Sequence, residues 1–364
     1  MIAYNFHAIG KGADGKASVG QEKLAPRSPT AIGGATYRAQ HSANGEQLLL
    51  GHLVAALGDT FPRSLLVTYY VSLKTNPFVV LTGREGVGKA ALAAGLAAAL
   101  VGQESGQFVT IGSDSWARYG SQSSYYRGIH ERFGTSQLIE TLNEAAAPEN
   151  SDKIYLVLLK GLTLEELNSY VNRLLQIGPH GERRLALPGV AHAAQPVVPP
   201  NCFITATLHS PRVASPLDQE ALRHAGQIEF SPGLHADTTL PALPLPPVGL
   251  QRIMLGAVAR DSRCARARLA TILGRGELRR LAPSPGVAAS LLEGGVTISR
   301  TLREDTLAYV ANSFDSEDCG LFDPANARRN AQLAFDAQII QRLLWRIDWR
   351  RRALHRRLAT LLHG

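Results

Sequence analysis

At 364 residues the chain is long enough for one large or two medium domains with a sizeable core. Hydrophobic residues make up 45% and charged residues 19%, which excludes a disordered chain, and three cysteines (Cys202, Cys264 and Cys319) without ligand spacing point to neither a disulfide framework nor a zinc site. The net charge of +8 is unevenly placed: residues 251–364 hold 19 Arg against 11 acidic residues, residues 1–250 are balanced, and all seven lysines stand at or before Lys160. Arginine forks suit phosphate, although a solvated surface explains the same bias. The longest small-apolar run, 90–101, is too short to span a bilayer, and the first residues lack a basic stretch followed by an apolar one. A cytoplasmic protein without membrane contact is the expectation.

Residues 1–44 are rich in Gly, Ala, Ser and Pro without periodicity and read as an irregular leader. Helical spacing begins in 47–57 and returns in 64–73, where Asn76-Pro77 ends it. The β-branched run 78–81 predicts a buried strand, followed by a Gly-rich turn and an Ala-rich helix over 90–100. Further apolar runs at 108–111, 154–159 and 203–207 alternate with helical patterns at 135–147 and 163–176, which argues for a parallel α/β sheet. Together 45–235 form an expected α/β core. Prolines crowd 231–248, so 236–250 reads as a linker. Helical patterns at 251–260, 265–273, 303–312 and 331–362 then predict an all-helical domain over 251–364.

The turn after the first predicted strand reads Gly83-Arg84-Glu85-Gly86-Val87-Gly88-Lys89-Ala90. It matches G-x-x-x-x-G-K, a pattern in which glycines turn backbone N–H groups inward, a helix N-terminus faces the same spot, and the lysine meets β- and γ-phosphates. Ala90 stands where such loops carry the hydroxyl that coordinates Mg²⁺, so phosphate binding is expected with weakened metal binding. No HExxH or paired histidine spacing predicts a metal centre.

The stretches YYVSLKTNPFVVLTGREGVGKAAL, IYLVLLKGLTLEELNSYVNRLL and VPPNCFITATLHS, in this order over 60–232, resemble the motor domain of McrB-type AAA+ proteins of the dynein-related branch. ISRTLREDTLAYVANSF and AFDAQIIQRLLWRI are similar to the lid of that group. The resemblance implies a P-loop AAA+ core followed by a helical lid, ATP or ADP as ligand, and a homo- or hetero-oligomer of AAA+ subunits. It also implies a prokaryotic DNA restriction or antiphage-defence setting, with a nuclease partner. The hydrolytic positions depart from the family's pattern. Where the family ends its third strand with Asp-Glu, this chain has Lys160-Gly161; where it places a sensor Asn, Leu208-His209-Ser210 stands; where an arginine reaches a neighbouring subunit, the chain reads Arg223-His224, with Arg223 one place off. Impaired hydrolysis is therefore expected, with no confident catalytic residue. Glu165 and Glu166 are the nearest acids, and Thr163 with Glu166 fits a helix-capping box instead.

Two other segments carry charge and aromatics. Residues 112–133 interleave Trp116, Tyr119, Tyr125 and Tyr126 with Arg118, Arg127 and Arg132, a pattern for gripping a partner or for loop packing. The end of the chain sets Ile340, Leu344 and Ile347 on an expected packing face, with Arg342, Arg346, Arg350, Arg351, Arg352, Arg356 and Arg357 on a basic face suited to DNA backbone, an acidic partner or solvent. Two alternatives stay open: a scaffold or nucleic-acid-binding subunit that no longer uses nucleotide, and an ATPase with a displaced site.

Overall fold

The fold is that of a computed structural model describing residues 45–112, 137–162, 176–177, 183–184, 195–209, 226–230, 243–258, 262–280 and 300–342. The expected leader, the aromatic segment 112–133 apart from Gly112, residues 163–175 with Glu165 and Glu166, the Arg223-His224 pair, and everything after Arg342 lie outside these residues.

Two helices come first, α1 (Gly45–Leu57) and α2 (Arg63–Thr75). α2 stops where Pro77 disfavours a helical conformation for the residue before it. Asn76 is extended at φ −136°, and its Oδ1 accepts the Phe78 N–H at 3.1 Å, which turns the chain directly into β1 (Phe78–Gly83). α3 (Lys89–Val101) follows; its alanines favour helix, and it stops at Gly102, φ 95°. Then come β2 (Phe108–Gly112), α4 (Gln137–Ala146) and β3 (Tyr155–Leu162). A two-residue antiparallel pair, β4 (Gln176–Ile177) with β5 (Arg183–Arg184), precedes β6 (Cys202–His209) and β7 (Gly226–Glu229). Gln176, expected at the end of a helix, is therefore in a strand.

The five long strands form one parallel sheet in the order β2-β3-β6-β1-β7. β1, β3 and β6 run as near-continuous apolar segments because helices cover both faces. On one face Leu81, Leu156, Leu158 and Phe203 join Leu92 and Leu96 of α3 in the main buried cluster. On the other, α4 packs on β2 and β3, and Tyr155 donates from β3 to Glu144 at 2.9 Å. Successive residues of β3 thus face α3 and α4 in alternation. Among the described strands β2 and β7 are at the edges, and Thr110 of β2 is exposed.

The remaining elements are helical: α5 (Leu250–Ala257), α6 (Ser262–Leu273), α7 (Arg275–Arg280), α8 (Arg300–Asn312) and α9 (Ala327–Arg342). α5 ends before the expected 260, because Val258 is extended. Leu250, Met254, Leu269, Tyr309, Phe314 and Phe335 bury into the same cluster as the α3 face of the sheet. α8 packs on α2, and α9 on β7. The expected face assignment at the end of the chain is reversed where it is described: Ile340 is 54% exposed, while Arg342 is buried and bonds Asp305 at 3.1 Å. The ion pair outweighs the apolar pattern because a guanidinium enters a core only with a counter-charge.

Candidate functional site

Gly83 ends β1 and Lys89 begins α3, so the loop between them sits at the carboxyl edge of a strand flanked by β6 and β7. Three glycines of the pattern hold positive φ: Gly83 at 138°, Gly86 at 75° and Gly88 at 88°. These are conformations that side-chain-bearing residues adopt only with strain, so the spacing of the motif is a backbone requirement. At Gly83 the requirement is also steric, since a Cβ there would lie 3.0 Å from the Phe230 carbonyl oxygen. β7 closes in because the Phe230 N–H donates to Thr82 O at 2.8 Å.

Within the loop the side chains divide their roles. Arg84 and Glu85 are exposed, Val87 is buried in the main cluster, and Ala90 is half-buried. Val87 therefore anchors the turn from below, leaving its backbone as what it presents to a ligand. Gly88 caps α3 in a left-handed conformation and accepts the Leu92 N–H at 2.9 Å. Lys89 is buried and donates to Gly83 O at 2.9 Å and to Arg84 O. Burial pulls its pKa below the ordinary lysine value, with the Glu85 carboxylate opposing the shift. A buried ammonium bound to two carbonyls at a helix N-terminus is poised to exchange those carbonyls for phosphate oxygens.

Lys160, Gly161 and His209, where the resemblance would place hydrolytic groups, lie at the same sheet edge. His209 ends β6 in register with Gly83. Lys160 is the one exposed residue in the buried strand β3. The β3/β6 register shifts between Leu159 and Leu162, and Gly161 within that bulge has φ 74°. Its N–H donates to Thr207 Oγ1 at 2.8 Å. Sequence reasoning saw only residue types at this place; the bulge, which needs glycine at 161, was not foreseen. β7 supplies a neighbour that the sequence did not single out, Glu229. It pairs with Thr82 and is exposed, on the sheet face away from α3.

The residues fit an anion and do not fit a divalent metal. The loop carries left-handed glycines and Lys89, Ala90 offers no side-chain oxygen, and Lys160 brings a cation and not a carboxylate to this edge. Among the described residues no group of three or more His, Cys, Asp or Glu side chains converges on a metal-sized site. No helix among them is long and apolar enough to cross a membrane.

No family model matches this sequence. No curated protein matches it either. Among solved structures, PCH-2 of C. elegans is similar at 14% identity, covering 82% of this chain and 68% of that one, with a TM-score of 0.24. An active helicase, Cch of SCCmec type IV, aligns at 9% identity over 86% of this chain and 50% of its own length, with a TM-score of 0.30. Cdc6p of Pyrobaculum aerophilum aligns at 12% identity over 90% of this chain and 97% of its own length, with a TM-score of 0.27. Superpositions this loose carry no function across. The α/β core with its phosphate-type loop and the helical region after it rest on this chain's own geometry.

Proposed function

We propose that the chain is a nucleotide-binding protein of the AAA+ type that takes ATP or ADP at the loop 83–90. The observation that carries this reading is the coincidence of three left-handed glycines with a buried lysine at the first turn of the helix that the strand β1 feeds. Backbone N–H groups and a helix N-terminus bind phosphate without help from a metal. The departures at Ala90, Lys160 and Gly161 support a subunit impaired in hydrolysis, since each missing electrostatic group costs about 10²-fold or more in rate.

The resemblance to McrB-type motors supports the finer reading: a cytoplasmic, nucleotide-dependent subunit of a homo- or hetero-oligomer in prokaryotic restriction or antiphage defence. In that setting a nuclease is the expected partner, and the arginines after the buried Arg342, over 346–357, are the segment for DNA backbone. A second reading, a scaffold that no longer uses nucleotide, draws on Lys89 being satisfied by the loop's own carbonyls.

Calorimetric titration with ATP and ADP separates the two readings. Binding by the wild-type chain that falls about tenfold or more in Lys89→Ala supports the first, a charge-assisted hydrogen bond being worth that much. No heat at millimolar nucleotide, with circular dichroism showing a folded protein, establishes the scaffold.

A further inference from the structure

The burial pattern of β3 has a single break. Seven of its eight residues are buried, and Lys160 is exposed. Alternation along the strand puts Lys160 on the face of Leu156 and Leu158, the face that α3 covers, and not on the face of Tyr155 that meets α4. Its exposure therefore presents the ammonium on that face, near the carboxyl edge of the sheet.

The same edge carries the phosphate loop. Leu159 pairs with Ala206, which pairs with Val80, so Lys160 is level with Leu81, two residues before Gly83. α3 runs antiparallel to the strands, so its first residue, Lys89, stands at this same edge. β6 alone lies between β1 and β3, so their backbones are about 10 Å apart. A phosphate chain lying on the loop and an extended lysine stem together span that distance. Within the described residues Lys160 makes no hydrogen bond or ion pair, and the bulge at Gly161 fixes the backbone that carries it.

We infer that Lys160 is a phosphate-binding residue that stands in for the metal ion at this site, so that the chain binds nucleoside di- and triphosphates without Mg²⁺. This rests on the reading of the loop as a nucleotide site. The ammonium supplies charge where a carboxylate would otherwise hold a hydrated cation. A divalent ion brought to the same phosphates meets like charge, so Mg²⁺ competes with Lys160 instead of bridging.

The test is calorimetric titration of the full chain with ATP, ADP and AMP, in EDTA and in MgCl₂. Wild type is expected to bind ATP in EDTA at least as tightly as in Mg²⁺. Lys160→Ala should weaken ATP and ADP binding in EDTA by about tenfold, the worth of one charge-assisted hydrogen bond, with a smaller effect on AMP. Lys160→Arg should keep the metal-free affinity, and Lys160→Asp should make ATP binding Mg²⁺-dependent. Because Lys160 is exposed, these variants should melt like wild type. Wild-type binding that requires Mg²⁺, or Lys160→Ala binding ATP in EDTA like wild type, overturns the inference and leaves the loop reading standing. Absence of any nucleotide binding by the folded wild-type chain overturns both; where it binds, a loss in both buffers in Lys89→Ala marks the loop, and a loss confined to EDTA in Lys160→Ala marks Lys160.

Discussion

Lys74 Nζ, in the last turn of α2, lies 2.8 Å from Glu46 Oε1 in the first turn of α1, and both side chains are buried. The same ammonium donates to Phe314 O at 3.0 Å, and Tyr70 donates to Glu46 at 2.9 Å. Burial pulls the Lys74 pKa down, and the Glu46 carboxylate holds against it. Taking away one partner leaves the other charge buried and unmatched. Glu46→Ala and Lys74→Ala should each lose about 3–5 kcal/mol in urea denaturation at pH 7, whereas the apolar pair Glu46→Leu with Lys74→Met should lose much less. A double variant as unstable as either single one would show that the pair contributes net stability beyond its own desolvation.

The glycines of the loop make a graded prediction. Gly88→Ala should cost about 1–2 kcal/mol, the strain of a left-handed alanine. Gly83→Ala should cost more, because its new methyl also meets Phe230. Equal effects in guanidinium titrations would mean that β7 yields to the methyl.

Repair of the hydrolytic pair should fail in an informative order. Gly161→Glu forces a side chain into φ 74° and should destabilise by about 1–2 kcal/mol without raising steady-state phosphate release above background. Lys160→Asp with Ala90→Thr leaves that backbone alone and should melt like wild type. Turnover near 1 s⁻¹ by the unmodified chain, abolished in Lys89→Ala, would refute the impaired-hydrolysis reading.

Asp336 on α9 gives a pH dependence of definite sign. Burial pushes its carboxyl up to about 6, from an ordinary 3.8. The folded chain therefore holds a proton that the unfolded chain releases. The contribution is fully present below about pH 4 and is lost as pH rises through 6. Asp336→Asn should flatten that part of the profile, measured as the difference in urea midpoint between variant and wild type from pH 4 to 7. An unchanged difference across that range would show that solvent reaches the carboxyl freely.

Much of the architecture was readable because its signals are local. The run at 78–81 is apolar on both faces, and the one at 203–207 departs from that only at Thr205 and Thr207; a strand inside a covered sheet combines such a pattern with such brevity. The loop was readable because its glycines are a covalent necessity. α7 escaped: six residues with one leucine have no periodicity to detect. The bulge at Gly161 escaped because its partner, Thr207, is forty-six positions away. At the last described helix, periodicity put Ile340 inside and Arg342 outside. The choice was made by Asp305 on α8, which no pattern within α9 reveals.

The Gln47 side chain donates to Asp315 and to Gly320, residues 268 and 273 positions further on. During synthesis at about 5–20 residues per second, α1 therefore waits on the order of 10–50 s for its partners to leave the ribosome. α1 packs on α2 and α3, which are made early, and on α5, so the turn that holds Asp315 and Gly320 is the last of these partners to appear. α1 is the first of the described elements to be made and completes its packing in stages, so a nascent chain stalled before Leu250 would leave the side of α1 that meets α5 uncovered, a ready target for chaperones and proteases.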